Sequence, residues 1–280
     1  MTGPLVSTAW LAERLGDPNL AVLDASWHMP SEKRDARAEY ADRHIPGAVF
    51  FDIDAIADHA NDLPHMLPSP QAFATAVRRL GVSAGSMIVA YDSVGVFSAP
   101  RAWWSFRAMG HDAVAVLDGG LSKWLAEGRP IETGWREAAH GDFKAHARPA
   151  LVRDLAAVRT LVAGGTGQVI DARAAPRFRG EAPEPRAGLR SGHMPGALNV
   201  PWSGLVEPDG TLAAPAKLKA AFEAAGVDLA RPAVATCGSG LSACVLALAL
   251  ARLGRDDAAV YDGSWTEWGV LADTPVAIGP

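Results

Sequence analysis

The stretch PAVATCGSGLSACVLALALARL, residues 232–253, decides the fold. Ala233 to Thr236 is a short apolar run ending in a β-branched residue, which reads as a buried strand, and residues 244–253 are apolar on every side, which reads as a buried helix. Between them, Cys237-Gly238-Ser239-Gly240-Leu241-Ser242-Ala243 is too short and too glycine-rich for anything but a tight loop. A strand passing through such a loop straight into a helix is the repeating unit of parallel sheets covered by helices. The same loop aims several backbone N–H groups at one point, where the helix N-terminus adds partial positive charge, so an anion is favoured at its centre. Cys237 stands there, a candidate nucleophile rather than only a small buried residue.

Working outward, the chain repeats itself. Val22-Leu23-Asp24 is echoed by Val169-Ile170-Asp171, and His44-Ile45-Pro46-Gly47-Ala48 by His193-Met194-Pro195-Gly196-Ala197. Val116-Leu117-Asp118-Gly119-Gly120 with Trp124 is answered by Val260-Tyr261-Asp262-Gly263-Ser264 with Trp268. Each half therefore predicts an α/β domain with a mainly parallel sheet flanked by helices. Residues 129–152 carry Pro130, Gly134, Gly141 and Pro149 with little periodicity and read as a connector, which places the domains at 1–149 and 150–280. The two His-x-Pro-Gly-Ala segments read as turns, with His44 and His193 as scaffolding. Alignment of the halves sets Asp92 opposite Cys237. A carboxylate is no sulfur nucleophile, so the first half is expected to be non-catalytic and to wall the site.

A chain of 280 residues, 49% apolar, can bury two ordinary cores. Its 26 basic and 31 acidic residues give a net charge of −5, with no basic block of the kind that binds nucleic acid or a membrane surface. Two cysteines and eight dispersed histidines form no metal-ligand pattern. Cys244 lies inside the expected helix, where a disulfide back to the loop has poor geometry, so both thiols are expected reduced and Cys244 is assigned to packing. No apolar run reaches the length of a membrane span, and the first fifteen residues lack a signal core, which makes the cytoplasm the expected location.

Three chemistries compete for the loop. Gly238-x-Gly240-x-x-Ala243 formally satisfies a dinucleotide fingerprint, but too little chain follows it for the βα units such a fold requires. A cysteine phosphatase needs an Arg at the position occupied by Ala243 to clamp phosphate. A thiol hydrolase needs a His base oriented by a third group, and nothing local supplies one. Attack of a thiolate on sulfur remains, with the transferred sulfur held as a persulfide among the loop amides and Ser239 able to donate to it.

These residues resemble the rhodanese superfamily in its two-domain form, over nearly the whole chain. Cys237-Gly238-Ser239-Gly240 resembles the loop of 3-mercaptopyruvate sulfurtransferases more than that of thiosulfate sulfurtransferases, whose loop carries basic residues after the cysteine; the usual Val-Thr-Ala continuation is Leu-Ser-Ala here. The resemblance implies a catalytic Cys237, with Gly238, Gly240 and Leu241 lining the substrate. It implies that Arg177 and Arg186 grip the donor's carboxylate and keto oxygens; of the five arginines within residues 173–190, Arg179 reads as a solvated surface residue. Phe51-Asp52-Ile53-Asp54 and His65-Met66-Leu67-Pro68 resemble the segments that supply a serine-histidine-aspartate relay across the domain interface, which implies Asp54, His65 and Ser239. The expected function is ping-pong transfer of sulfur from 3-mercaptopyruvate through a Cys237 persulfide to thioredoxin, another thiol or cyanide, with no cofactor, metal, nucleic acid or membrane partner. The alternatives are a thiosulfate:cyanide sulfurtransferase and a non-catalytic module that binds or senses oxidants.

Overall fold

The computed structural model describes residues 3–280 and divides into two compact units. The first comprises the chain up to Ala57, Pro68–Arg148 and Glu207–Leu212; the second comprises Asp58–Leu67, Pro149–Val206 and Ala213–Pro280. Among the described residues no helix is long and apolar enough to cross a membrane.

In the first unit the strands are β1 (Leu5–Val6), β2 (Leu20–Asp24), β3 (Val49–Phe50), β4 (Met87–Tyr91) and β5 (Val114–Leu117). They form one parallel sheet in the order β1-β5-β4-β2-β3. Its helices are α1 (Thr8–Ala12), α2 (Ala36–Asp42), α3 (Pro70–Arg79), α4 (Ala99–Ala108) and α5 (Gly120–Ala126). The second unit repeats the plan with β6 (Val152–Arg153), β7 (Gln168–Asp171), β8 (Leu198–Asn199), β9 (Ala233–Thr236) and β10 (Ala259–Tyr261) in the order β6-β10-β9-β7-β8. Its helices are α6 (Leu155–Val162), α7 (Ala175–Phe178), α8 (Pro215–Ala224), α9 (Ala243–Arg252) and α10 (Ser264–Trp268).

Local chemistry explains where the elements start. Ser69 and Asp154 accept hydrogen bonds from Ala72 N–H and Ala157 N–H and so cap α3 and α6, and Pro70 pre-sets the first turn of α3. The residues of α9 from Ala243 to Leu250 are all buried, which is why that segment shows no polar face in the sequence. The repeated tryptophans anchor matching corners: Trp124 Nε1 donates to Pro130 C=O at 2.7 Å and Trp268 Nε1 to Pro275 C=O at 2.9 Å. His44 and His193 are buried scaffolding, stacked on Tyr40 and Phe178 and bonded through Nδ1 to the carbonyls of those residues. The connector does more than link the halves, because Phe143 is buried against Phe73 and Phe106 of the first unit.

Each unit contains a short segment from the opposite half of the sequence, fastened in the same way. Asp118, after β5, accepts the N–H of Leu212 at 2.7 Å, and Asp262, after β10, accepts the N–H of Leu67 at 2.6 Å. Within the segments, Glu207 N–H bonds Thr211 C=O and Asp58 N–H bonds Met66 C=O, both at 2.8 Å. Leu212 therefore corresponds to Leu67, and Gly210 to His65.

One difference between the copies has a measurable consequence. Asp24 ends β2 and Asp171 ends β7, but two residues on the first copy has Ser26 where the second has Arg173. Burial pushes the Asp24 carboxyl up to about 6, outweighing the donors it keeps, which are the N–H and hydroxyl of Ser26 and the hydroxyl of Tyr91. The folded state therefore holds a proton that the unfolded chain releases near pH 4, and stability falls as pH rises from about 4 to about 6. A carboxyl displaced this far costs the folded state about 3 kcal/mol at neutral pH. Asp24→Asn is expected to raise Tm at pH 7 and to leave it unchanged near pH 4, as read by thermal unfolding at both values; a pH-independent difference would contradict this origin.

Candidate active site

β9 delivers Cys237 to the loop and α9 begins at Ala243 behind Ser242. The outer backbone of the loop is held by the start of α10. Trp265 N–H donates to Cys237 C=O at 3.0 Å and Thr266 N–H to Gly238 C=O at 2.9 Å, while Cys237 N–H donates to Ser264 Oγ at 3.2 Å. Ser264 Oγ also accepts from Thr236 Oγ1 at 3.3 Å and donates to Tyr261 C=O at 2.8 Å. Ser264 has φ +49°, a left-handed conformation that disfavours side chains and that its counterpart Gly120 (φ +55°) adopts without penalty. The sequence reading missed Ser264; the visible signal was the change from Asp-Gly-Gly to Asp-Gly-Ser between the copies. Cys244 is buried, and its Sγ donates to Gly240 C=O at 3.2 Å, closing the loop from behind. Cys237 itself is a free thiol only 1% exposed, and Ser239 is 7% exposed.

The first unit shows what this kind of loop holds. Asp92, at the position of Cys237, is completely buried, and one carboxylate oxygen accepts the N–H groups of Val94 and Gly95 while the other accepts those of Phe97, Ser98 and Ala99, at 2.9–3.1 Å. Burial pushes this carboxyl above the usual range, and the backbone donors pull against it. α4 starts seven positions after Asp92 and α9 six after Cys237, so the first loop is one residue longer. In both copies the loop leads from the C-terminal end of a central parallel strand into a buried helix.

The arginines of the second unit divide sharply. Arg177 lies on α7, its guanidinium so close to the loop that a side chain on Gly238 would come within 3.1 Å of Nη2. Its Nη2 donates to Glu184 Oε2 at 2.5 Å, and Glu184 Oε1 accepts from Arg173 Nη1 at 2.8 Å. Arg173, for which the sequence reading assigned no role, is fully buried. It donates to Asp171 through Nε and Nη2 and to Gly192 C=O, with its guanidinium over the Trp265 ring at 4.2 Å. Burial works against its charge, but Asp171 and Glu184 outweigh that and hold it above its ordinary value. Arg190 donates to the carbonyls of Trp268, Gly269, Leu271 and Thr274 and ties down the end of α10. Arg179 is exposed in its side chain and paired with Glu181, and Arg186 is half-buried.

His65 and Asp54, read together from the sequence, fall in different units. His65 belongs with Cys237 and Ser239, is buried, and has φ +62°. Its counterpart Gly210 (φ +81°) lies on the Asp92 loop, since a side chain on Gly95 would meet Gly210 Cα at 2.6 Å. A buried imidazole thus occupies, in the second unit, a left-handed position that in the first is filled by bare backbone. Asp54 is exposed and accepts the indole N–H of Trp27 at 2.9 Å.

Two segments, residues 7–127 and 154–270, match the model of the rhodanese-like domain. The chain belongs to the rhodanese family. Among similar rhodaneses, a 3-mercaptopyruvate sulfurtransferase of Homo sapiens is 45% identical over 270 residues, covering 94% of this chain and 91% of its own. A thiosulfate sulfurtransferase of Bos taurus is 45% identical over 271 residues with the same coverage. The crystal structure of SseA from Escherichia coli, described as a 3-mercaptopyruvate sulfotransferase, superposes with a TM-score of 0.87 at 44% identity, covering 94% of this chain and 99% of that one. The expected two-domain rhodanese architecture is therefore correct, and of the two rhodanese-like segments only the second carries the cysteine.

Proposed function

We propose that this rhodanese is a 3-mercaptopyruvate sulfurtransferase, with Cys237 in the second unit as nucleophile and the first unit non-catalytic. The observation that carries the reading is Asp92. A carboxylate oxygen stands two bonds from Cβ, as does the outer sulfur of a cysteine persulfide, and in the first unit five backbone N–H groups converge on that carboxylate. The Cys237 loop, one residue shorter and likewise leading from a central strand into a buried helix, reads as a cradle of the same kind for a persulfide anion. Burial of Cys237 then shields the intermediate from water and oxidants.

In the first half-reaction the Cys237 thiolate attacks the donor's thiol sulfur. The S–S bond forms, the C–S bond breaks, and the electron pair left on carbon takes the former thiol proton to give pyruvate. In the second, a thiol or cyanide attacks the outer sulfur and regenerates the thiolate. Arg177 binds the donor's carboxylate beside Gly238, and Arg186 joins it in the proposal through the family resemblance. Ser239 donates to the reacting sulfur, polarised by His65, whose left-handed backbone is retained for the imidazole's sake. Asp54 enters the relay through the resemblance alone.

The bovine relative keeps thiosulfate in view as donor. Against it, residues 238–243 carry no cation, and Arg177 is neutralised by Glu184. Parallel steady-state assays are expected to give kcat/KM for 3-mercaptopyruvate at least about tenfold above that for thiosulfate, a difference of about 1.4 kcal/mol. Intact-mass measurement after donor treatment without acceptor is expected to show one added sulfur on Cys237. A preference for thiosulfate would overturn the donor assignment, and an unmodified Cys237 the mechanism.

A further inference from the structure

Glu184 sits between two exposed prolines, Pro183 and Pro185, yet its own side chain is 1% exposed. A carboxylate turned inward from an exposed loop is costly unless its partners compensate it, and even then a buried ion pair adds little net stability. Its geometry indicates what it is kept for. Arg173 is fixed by Asp171, Gly192 C=O and the Trp265 ring, so it gives Glu184 an immobile anchor at Oε1. Oε2 is thereby aimed at Nη2 of Arg177, the nitrogen that lies against Gly238. Arg177 is 26% exposed in its side chain, and without this carboxylate it is free to swing toward solvent.

The network also sets a charge. Asp171, Arg173, Glu184 and Arg177 sum to zero, so Arg177 brings its guanidinium fork to the loop without adding a net positive charge. A single carboxylate is recognised by the fork's geometry, whereas a compact dianion gains most from net charge.

We propose that Glu184, anchored by Arg173, is the positioning and donor-specificity residue of this site: it orients Arg177 toward the loop and cancels the charge that would favour a dianionic sulfur donor. This rests on the 3-mercaptopyruvate reading above.

Two variants test the two halves of the proposal, with kcat and KM measured for both donors. Glu184→Asp keeps the charge but retracts the carboxylate by one methylene, so it cannot span both arginines; KM for 3-mercaptopyruvate is expected to rise about tenfold with kcat within about threefold. Glu184→Gln leaves the network at net +1, and the ratio of kcat/KM for 3-mercaptopyruvate over thiosulfate is expected to fall about tenfold or more, while Glu184→Asp keeps that ratio within about threefold. A residue that is merely structural would lower both donors alike. The proposal is overturned if KM is unchanged in Glu184→Asp, or if Glu184→Gln loses both donors in equal proportion; should Glu184→Gln fail to fold, the KM of Glu184→Asp still decides the positioning claim. If the unmodified enzyme itself prefers thiosulfate, the donor reading has failed instead, and the two failures are told apart by that single control.

Discussion

Replacing Cys237 by Ser is expected to lower kcat by about three orders of magnitude or more and to leave Tm almost unchanged. A hydroxyl is a far weaker nucleophile toward sulfur than a thiolate, and the loop does not depend on the thiol for its shape. Its anchors are backbone groups: Cys237 N–H on Ser264 Oγ, Trp265 N–H on Cys237 C=O and Thr266 N–H on Gly238 C=O. Cys237→Asp probes the cradle more directly. If the loop amides converge as they do in the first unit, the new carboxylate docks among them like Asp92, and the variant is inactive but at least as stable as the parent. If they do not, an uncompensated carboxylate is buried and Tm falls by several degrees. Pyruvate release by either variant would remove Cys237 from the mechanism. A marked drop in Tm for Cys237→Asp would remove the argument from the duplicated loop.

The duplicated α/β plan was legible in the sequence because it rests on local signals. Residues 232–253 could form only a strand, a tight loop and a helix, and the echoed Asp-Gly and His-x-Pro-Gly-Ala segments fixed the order of elements in both halves. What could not be read were side-chain directions in irregular chain. Arg173 and Arg179 look alike in sequence, six residues apart, yet one is fully buried against Trp265 and the other is exposed and paired with Glu181. Nothing in a loop written Glu-Ala-Pro-Glu-Pro says that its second glutamate faces inward. Likewise, His65 precedes the connector by more than sixty residues but packs with the second unit, because Asp262 captures the N–H of Leu67. Tertiary hydrogen bonds of that kind leave no periodic trace. Only the comparison of the copies, with His65 at the place of Gly210 and Ser264 at that of Gly120, exposes positions where a side chain is retained against the preference of the backbone.

Arg173→Met should be the most destabilising of the substitutions considered, by about 3–5 kcal/mol, because it strands two buried carboxylates, Asp171 and Glu184, without their cation. For a unit of this size that is a fall in Tm of about 10 °C, read by thermal unfolding at pH 7. The pH dependence separates charge from packing. In the variant, burial favours the protonated carboxyls, so the folded state keeps protons that the unfolded chain releases around pH 4. The deficit is then small below the ordinary carboxylate range and grows as pH rises above it. Asp24 is the natural precedent, since it ends the equivalent strand with Ser26 in place of the arginine and is pushed up to about 6. Loss of the guanidinium from above the Trp265 ring, by contrast, costs the same at every pH, so a Tm difference that does not shrink on acidification would assign the effect to packing. Adding Glu184→Gln to Arg173→Met removes one of the stranded charges and should recover part of the loss, although the same substitution alone is unfavourable. That reversal of sign is what a charge-balanced network requires and what independent contacts cannot give.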